Sequence, residues 1–87
     1  MIYKDNKDNK NNNVIIRTFD ENIDPTELMW HRDKNDRIVK SLYYTEWKIQ
    51  LDDELPINLN KSVFIKKEQY HRLIKGTNNC QLQIIEL

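Results

Sequence analysis

The chain has 87 residues, 14 of them basic and 14 acidic, so its formal net charge at neutral pH is zero. A chain of this length can form one small domain that buries only about 60% of the surface its unfolded state exposes. The zero net charge excludes a chain-wide attraction to nucleic acid or to an anionic membrane, so neither is an expected partner. No window approaches the ~20 apolar residues of a transmembrane helix, and the first residues lack the apolar core of a signal peptide. We therefore expect a cytoplasmic protein.

The first thirteen residues, MIYKDNKDNKNNN, consist almost entirely of Lys, Asp and Asn. A segment with so few apolar side chains cannot bury enough surface to offset the entropy lost when it is ordered. The composition therefore predicts a disordered polar tail over residues 1–13, followed by a single domain over residues 14–87.

Apolar residues in the domain recur mostly with a period of two, which indicates strands. In WKIQLD, for example, Trp47, Ile49 and Leu51 share one face while the intervening Lys and Gln point away. Pro25, in DENIDPTEL, predicts a loop or one helical turn between the first two strands. Seven short strands separated by tight turns favour an all-β sandwich or a closed antiparallel barrel. In chain order they are VIIRTF (14–19), RIVKSLYY (37–44), WKIQLD (47–52), INL (57–59), SVFIKK (62–67), YHRLIKG (70–76) and CQLQIIEL (80–87).

A single cysteine, Cys80, excludes an intramolecular disulfide and a cysteine-based zinc cluster. It follows the turn GTNN and has no histidine nearby in sequence. We interpret it as a small packed residue rather than a catalytic thiol.

The stretch MWHRDKNDRIV, residues 29–39, combines a histidine and a carboxylate at a spacing of two. In an extended segment His31 and Asp33 project from the same side, and His71, at the start of another strand, can supply a third ligand. Two imidazoles and one carboxylate suit a single divalent Fe, Mn, Zn or Ni ion and leave positions for water or substrate. The alternative is a salt bridge between Asp33 and Arg37, four residues later.

Residues 30–87 resemble a minimal cupin, the small double-stranded β-helix, and in particular short cupin-like proteins encoded by bacteriophages. The first cupin motif has the form G-x5-H-x-H-x3,4-E-x6-G, and HRDKNDRIVKSLYY follows its spacing. His31 is the first His of the motif, and Asp33 takes the place of the second. Arg37 stands where Glu is usual, and Tyr44 stands where the closing Gly is usual.

The second cupin motif, G-x5-P-x-G-x2-H, is matched in spacing by NKSVFIKKEQYH, residues 60–71. His71 falls on the His of this motif, while Asn60, Lys66 and Glu68 stand where Gly, Pro and Gly are usual. The resemblance implies a cupin-like antiparallel β-barrel with a metal site. It also implies that Arg37 removes one usual ligand and adds a permanent positive charge nearby.

The barrel mouth is the expected place for a ligand. Arg37 and Arg72, with Trp30 and Tyr70 close to them in sequence, predict a cationic and aromatic pocket for a small anionic or sugar-like ligand. The alternative is that these residues are solvated charges at strand ends over an aromatic core. The three metal-ligand candidates also resemble the facial triad of 2-oxoglutarate oxygenases, although so short a chain leaves little wall for a two-substrate pocket.

Two classes of function therefore remain open. The first is a small-molecule site in the barrel mouth, either metal-assisted or simply anion- or sugar-binding, with no catalytic residue assigned. The second is a non-enzymatic viral accessory or interaction protein that uses a metal-free barrel. Small cupins commonly dimerise through their sheets, so the resemblance implies a homodimer.

Overall fold

The computed structural model describes residues 3–7, 10 and 13–87. Within these residues it contains eight β-strands and one 3-10 helix, Pro25–Glu27, so no described helix is long and apolar enough to cross a membrane. The strands are β1 (Tyr3–Lys7), β2 (Val14–Phe19), β3 (Arg37–Ser41), β4 (Lys48–Leu51), β5 (Ile57–Asn58), β6 (Val63–Ile65), β7 (His71–Ile74) and β8 (Cys80–Glu86).

The strands form two antiparallel sheets. The larger has the order β1-β2-β8-β3-β6, and the smaller has the order β5-β4-β7. Strand β8 is central in the larger sheet, where it pairs with β2 from Val14↔Ile85 to Phe19↔Cys80 and with β3 on its other edge. The predicted all-β, antiparallel architecture is confirmed, and the sheet order adds pairings between segments that are far apart in sequence.

One hydrophobic core joins the inner faces of both sheets, and it follows the alternation seen in the sequence. Trp47, Ile49 and Leu51 are all buried, as predicted, and the Trp47 ring lies 5.6 Å from that of Phe19 on the other sheet, centroid to centroid. Each such side chain contributes about 1.5–3 kcal/mol on burial. Cys80 is also in this core, and its burial raises the pKa of the thiol to about 11, which agrees with a packed rather than a reactive residue.

All seven predicted strands are present, and most are shorter than predicted because turns form within their apolar ends. The strand predicted over residues 37–44 ends at Ser41, whose hydroxyl donates a hydrogen bond of 2.6 Å to the Tyr43 carbonyl and turns the chain. Beyond this turn, Tyr43 and Tyr44 are exposed. The predicted helical turn at Pro25 is present as the 3-10 helix.

The prediction of a disordered tail is wrong for Tyr3–Lys7, which form the edge strand β1 against β2. Asp5 accepts two hydrogen bonds from the Arg17 guanidinium, at 2.8 and 2.9 Å. Tyr3 packs on Phe19 with ring centroids 5.6 Å apart. These partners lie on another strand, so the composition of the segment alone does not reveal them. The predictions for residues 1–2, 8–9 and 11–12 lie outside the described residues.

The loop at residues 66–69 fastens β7 to the segment that precedes β3. Glu68 has a φ of 63°, in the left-handed region, and occupies the position where the second cupin motif has Gly. Its backbone N–H donates to the Asp33 carbonyl at 2.7 Å, and the neighbouring Lys67 N–H donates to Asp36 Oδ1 at 2.7 Å. The backbone of this loop therefore fixes Asp33 relative to His71, which are two of the three predicted metal ligands.

Candidate metal centre in the barrel

His31 and His71 face each other across an isolated antiparallel bridge. Each backbone N–H donates to the carbonyl of the other residue at 2.9 Å, so both side chains project from the same side of the pair. Asp33 follows two residues after His31 and shares its side. The structure brings the three predicted ligands together, with one donor atom from each lying within 4.8 Å of the others.

Both imidazoles are oriented by backbone carbonyls two residues earlier. Nδ1 of His31 lies 3.2 Å from the Met29 carbonyl, and Nδ1 of His71 lies 2.8 Å from the Gln69 carbonyl. A carbonyl oxygen only accepts, so each Nδ1 carries a proton, and in the neutral form of either ring the lone pair is on Nε2. A backbone acceptor of this kind is the usual outer partner of a metal-binding histidine.

Asp33 directs a buried oxygen at this lone pair. Its Oδ2 lies 3.1 Å from His71 Nε2 and 3.3 Å from Arg37 Nη1, and within residues 3–7, 10 and 13–87 it makes no hydrogen bond of acceptable geometry. Two electron-pair acceptors so close together are unfavourable unless a cation binds both, and the Arg37 guanidinium, although 3.3 Å from Oδ2, forms no hydrogen bond with it in the described part of the chain. The donor set therefore fits a divalent metal ion, which Asp33 and His71 would hold together.

A proton is a poor substitute for that cation at neutral pH. Burial lowers the pKa of His71 below its ordinary value of 6.5, and the nearby charges of His31 and Arg37 lower it further. The Gln69 carbonyl and the Asp33 carboxylate act in the opposite direction without reversing the shift. His71 is therefore neutral at pH 7, the form in which imidazole binds metal.

Arg37 begins β3 opposite Glu86 of β8 and lies between two carboxylates. Its Nη2 donates to Glu86 Oε1 at 2.9 Å, and its Nη1 is 3.3 Å from Asp33 Oδ2, so the salt bridge predicted as the alternative to ligation is present. Its Nε is buried and has no hydrogen-bond partner in the part of the chain that the structure describes. The Asp33 carboxylate thus contacts an arginine, while the Nε2 atoms of both histidines remain available as metal ligands.

A cavity of about 380 Å³ opens beside these ligands, between the two sheets. The triad residues and Arg37 line it together with Tyr3, Arg17 and Trp30. Most of the remaining wall is apolar and comes from both sheets, including Phe19, Val39, Ile49, Leu73, Leu82 and Ile84.

The four predicted ligand-binding residues separate into two groups. Arg37 and Trp30 line the cavity, whereas Arg72 and Tyr70 are not among its described lining residues. His71 points inward, so its two neighbours in sequence point outward by alternation. Arg72 instead lies over the Trp30 ring, 5.0 Å from its centroid, and donates to the Gln50 side chain at 3.0 Å. Their roles in binding stay predictions.

Two cavity residues, Arg17 and Tyr3, were missed from the sequence. Arg17 lies on the inner face of β2 between Ile15 and Phe19. A charged residue on an otherwise apolar inner face is a sequence signal that could have identified it. Burial opposes the charge on Arg17, but the hydrogen bonds and the charge of Asp5 raise its pKa above the ordinary value. Tyr3 gives no comparable signal, because it belongs to a segment whose composition indicates disorder.

No protein-family model matches this sequence, and no curated protein matches it. Solved structures do match. A cupin-2 domain protein from Shewanella frigidimarina superposes with a TM-score of 0.67 at 16% identity, over 99% of this chain and 81% of that one. A protein from Neisseria meningitidis gives 0.59 at 16% identity, over 98% of this chain and 81% of that one. The chain has the cupin fold.

The same cupin fold is shared with HppE. Its Fe(II) complex with substrate superposes with a TM-score of 0.66 at 12% identity, and the match covers 99% of this chain and 53% of HppE. This chain therefore spans about half the length of that protein. Another HppE structure contains Co(II). Identities this low establish the cupin fold alone.

Proposed function

We propose that the protein binds one divalent transition-metal ion through His31 Nε2, Asp33 Oδ2 and His71 Nε2, and a small anionic ligand beside it in the cavity. The observation that carries this proposal is the buried Asp33 Oδ2, which accepts no hydrogen bond from the residues that the structure describes and lies 3.1 Å from the unprotonated nitrogen of His71. The Fe(II) and Co(II) complexes of HppE, a protein with the same fold, support it. Iron, manganese, zinc and nickel all accept this donor set.

When bound, such an ion supplies Lewis acidity to a ligand that coordinates at its open positions. The residues of the chain prepare the surroundings for this chemistry. The Met29 and Gln69 carbonyls fix the ring orientations, Arg37 holds the Asp33 carboxylate in place, and the apolar walls limit the access of water.

Metal uptake of the purified full chain tests the site. After loading with zinc, manganese, iron or nickel and removal of free metal, elemental mass spectrometry is expected to find about one ion per chain. His31→Ala removes one ligand nitrogen and Asp33→Asn removes the negative charge of the carboxylate ligand, so we expect each to lower metal affinity more than ~10-fold.

Glu68→Gln is the matched control. Glu68 is also a carboxylate paired with an arginine, at 3.3 Å from Arg32 Nε, but it lies outside the triad. This variant is expected to bind metal as the unaltered protein does, and circular dichroism checks that all variants keep their fold. Stoichiometric metal in Asp33→Asn would contradict the proposed site.

A second candidate function is favoured by the contacts of Arg37 with Asp33 and Glu86, because they hold the site together without a metal. On that hypothesis the barrel is a non-enzymatic interaction protein that binds a partner or a second copy of itself. A folded protein that takes up none of the four metals in the experiment above would support this candidate over the first.

A further inference from the structure

We infer that the ligand of this cavity is a small monocarboxylate with an apolar body, whose carboxylate lies beside the metal and accepts a hydrogen bond from Arg37 Nε. This inference rests on the proposed metal site and narrows the class of ligand that the site takes. Three independent features carry it: an unused donor, a charge balance and the chemistry of the walls.

The unused donor is the Nε–H of Arg37. This atom is buried and has no hydrogen-bond partner among the described residues, although the Nη atoms of the same guanidinium contact Asp33 and Glu86. Buried donors are almost always satisfied, and one that is left unpaired in a cavity-lining residue indicates a missing acceptor. A carboxylate is the acceptor that a guanidinium binds best, through charge-assisted hydrogen bonds.

The sum of the charges in the metal-loaded cavity indicates a ligand with one negative charge. Among the described residues that line the cavity, the groups with permanent charge are Arg17, Asp33 and Arg37. Asp5 compensates Arg17 at 2.8 Å, and Glu86 compensates Arg37 at 2.9 Å. Asp33 offsets half the charge of a divalent ion, so the loaded site retains a single positive charge. A monoanion neutralises it, whereas a dianion leaves an uncompensated negative charge against apolar walls.

The walls determine the rest of the ligand. Away from the triad, the two arginines, Tyr3 and Trp30, they consist of side chains such as Phe19, Val39 and Leu82, which offer no hydrogen bonds. A polyhydroxylated body would bury hydroxyls without partners, and a hydrocarbon body would not. A volume of about 380 Å³ is near the lower end of the range for small-molecule sites, so the acid is smaller than a typical drug.

Isothermal titration calorimetry with four probes tests this assignment on the full chain, with and without zinc. Hexanoate has the required charge and body. Gluconate keeps the single charge but has a polar body, adipate keeps the apolar chain but has two charges, and hexanol has no charge. We expect hexanoate to bind the zinc-loaded protein at least ~10-fold more tightly than each of the others, and at least ~10-fold more tightly than it binds metal-free protein.

Two variants locate the carboxylate. Arg37→Lys keeps the positive charge and removes the Nε donor, so hexanoate affinity is expected to fall ~10-fold in variant protein whose zinc content has been checked by elemental mass spectrometry. Arg37→Gln provides a second variant should the lysine fold poorly. Arg32→Lys is the control, because Arg32 also pairs with a carboxylate, Glu68, but does so outside the cavity lining. It is expected to bind hexanoate normally.

The outcomes separate this inference from the proposed function. The carboxylate assignment is overturned, with the metal site left intact, if the zinc-loaded protein does not bind hexanoate or binds gluconate or adipate equally well. It is also overturned if Arg37→Lys leaves the hexanoate affinity unchanged. A protein that takes up no metal overturns the proposed function, and the metal-dependent carboxylate site fails with it.

Discussion

His71 is the most constrained side chain of the candidate metal centre. Its backbone pairs with His31, its Nδ1 faces the Gln69 carbonyl, and its Nε2 faces Asp33. The residue is almost fully buried, so each of these partners replaces water. A buried imidazole whose proton is held on Nδ1 can bind a cation through Nε2, whereas burial disfavours its own protonation to a cation.

This constraint predicts a pH dependence for the metal-free protein. The folded-state pKa of His71 lies below the ordinary value of 6.5, so the unfolded chain takes up this proton first as the pH falls. The corresponding stability is present above pH 6.5 and is lost as the pH falls through the folded-state pKa. We expect the free energy of unfolding, measured with urea from about pH 7.5 to pH 5, to fall less steeply in His71→Gln than in the unaltered protein.

His31→Gln provides the comparison, since His31 is exposed and its replacement leaves His71 in place. This variant is expected to keep most of the slope. Identical slopes for the unaltered protein and His71→Gln would show that His71 does not control acid stability in this window.

The residues of the site differ in how far the sequence could predict them. His31 and Asp33 were predicted because strand alternation is a local rule, and His71 was predicted because a motif spacing matched. Glu86, the partner of Arg37, was not predicted, because it comes from β8 and only the sheet order brings it close. Tertiary pairing between charged residues leaves no signal in local sequence.

At the scale of elements, the loop at residues 66–69 shows how a backbone requirement can persist after its usual residue is replaced. The left-handed conformation of Glu68 costs a non-glycine residue about 1–2 kcal/mol. The loop keeps it because two of its backbone N–H groups donate to the segment that contains Asp33. The spacing of the second cupin motif predicted that Glu68 takes the place of a glycine, but the strain at this position is shown only by its backbone φ angle.

Glu68→Gly is therefore expected to stabilise the protein. Glycine relieves the left-handed strain but adds about 0.5–1 kcal/mol of unfolded-state entropy, so the net gain in the free energy of unfolding is ~0.5–1 kcal/mol. The lost pair with Arg32 contributes little, because both side chains are about half exposed. Urea unfolding measures the change.

Glu68→Ala separates the backbone effect from the ion pair, because it removes the carboxylate and keeps Cβ. Its stability is expected to equal that of the unaltered protein or fall slightly below it. A glycine variant no more stable than the alanine variant would mean that the loop stores no strain at this position.

The strands themselves were the most predictable elements. Strand β2 has the predicted bounds, and six others lie within the predicted segments, because a half-buried strand records its two faces as alternating residue types. Strand β1 does not follow this rule of alternating residue types. Its polar residues are ordered by an ion pair and a ring contact with β2, and neither leaves a periodic pattern in the strand.

At the scale of the whole molecule, the triad lies where the chain passes from one sheet to the other. His31 pairs with β7 of the smaller sheet, and the same segment then continues into β3 of the larger one. An ion held by His31, Asp33 and His71 would therefore bridge both sheets. In a small domain with one limited core, such a bridge is a large fraction of the total stability.

Metal is accordingly expected to stabilise the entire fold. A ligand present at 100 times its Kd adds about 2.7 kcal/mol to the free energy of unfolding, which corresponds to a rise of ~10–20 °C in Tm for a domain of this size. Thermal unfolding followed by circular dichroism, with and without saturating zinc, measures the shift. Chelation should reverse it, and Asp33→Asn should show little shift. An unchanged Tm in a protein that demonstrably binds zinc would mean that the unfolded chain binds zinc as tightly as the folded one, which contradicts a site that only the fold assembles.

The central position of β8 also has a consequence for the order in which the protein can be assembled. Strands β2 and β3 leave a ribosome well before Cys80–Glu86, yet neither pairs with the other, and both require β8 between them. During synthesis the earlier strands must remain without their main partner, and Arg37 without Glu86, until this last strand emerges. The large sheet and its buried charges therefore form together, after translation of β8, and nascent chains stalled before residue 80 should depend on chaperones to stay unaggregated.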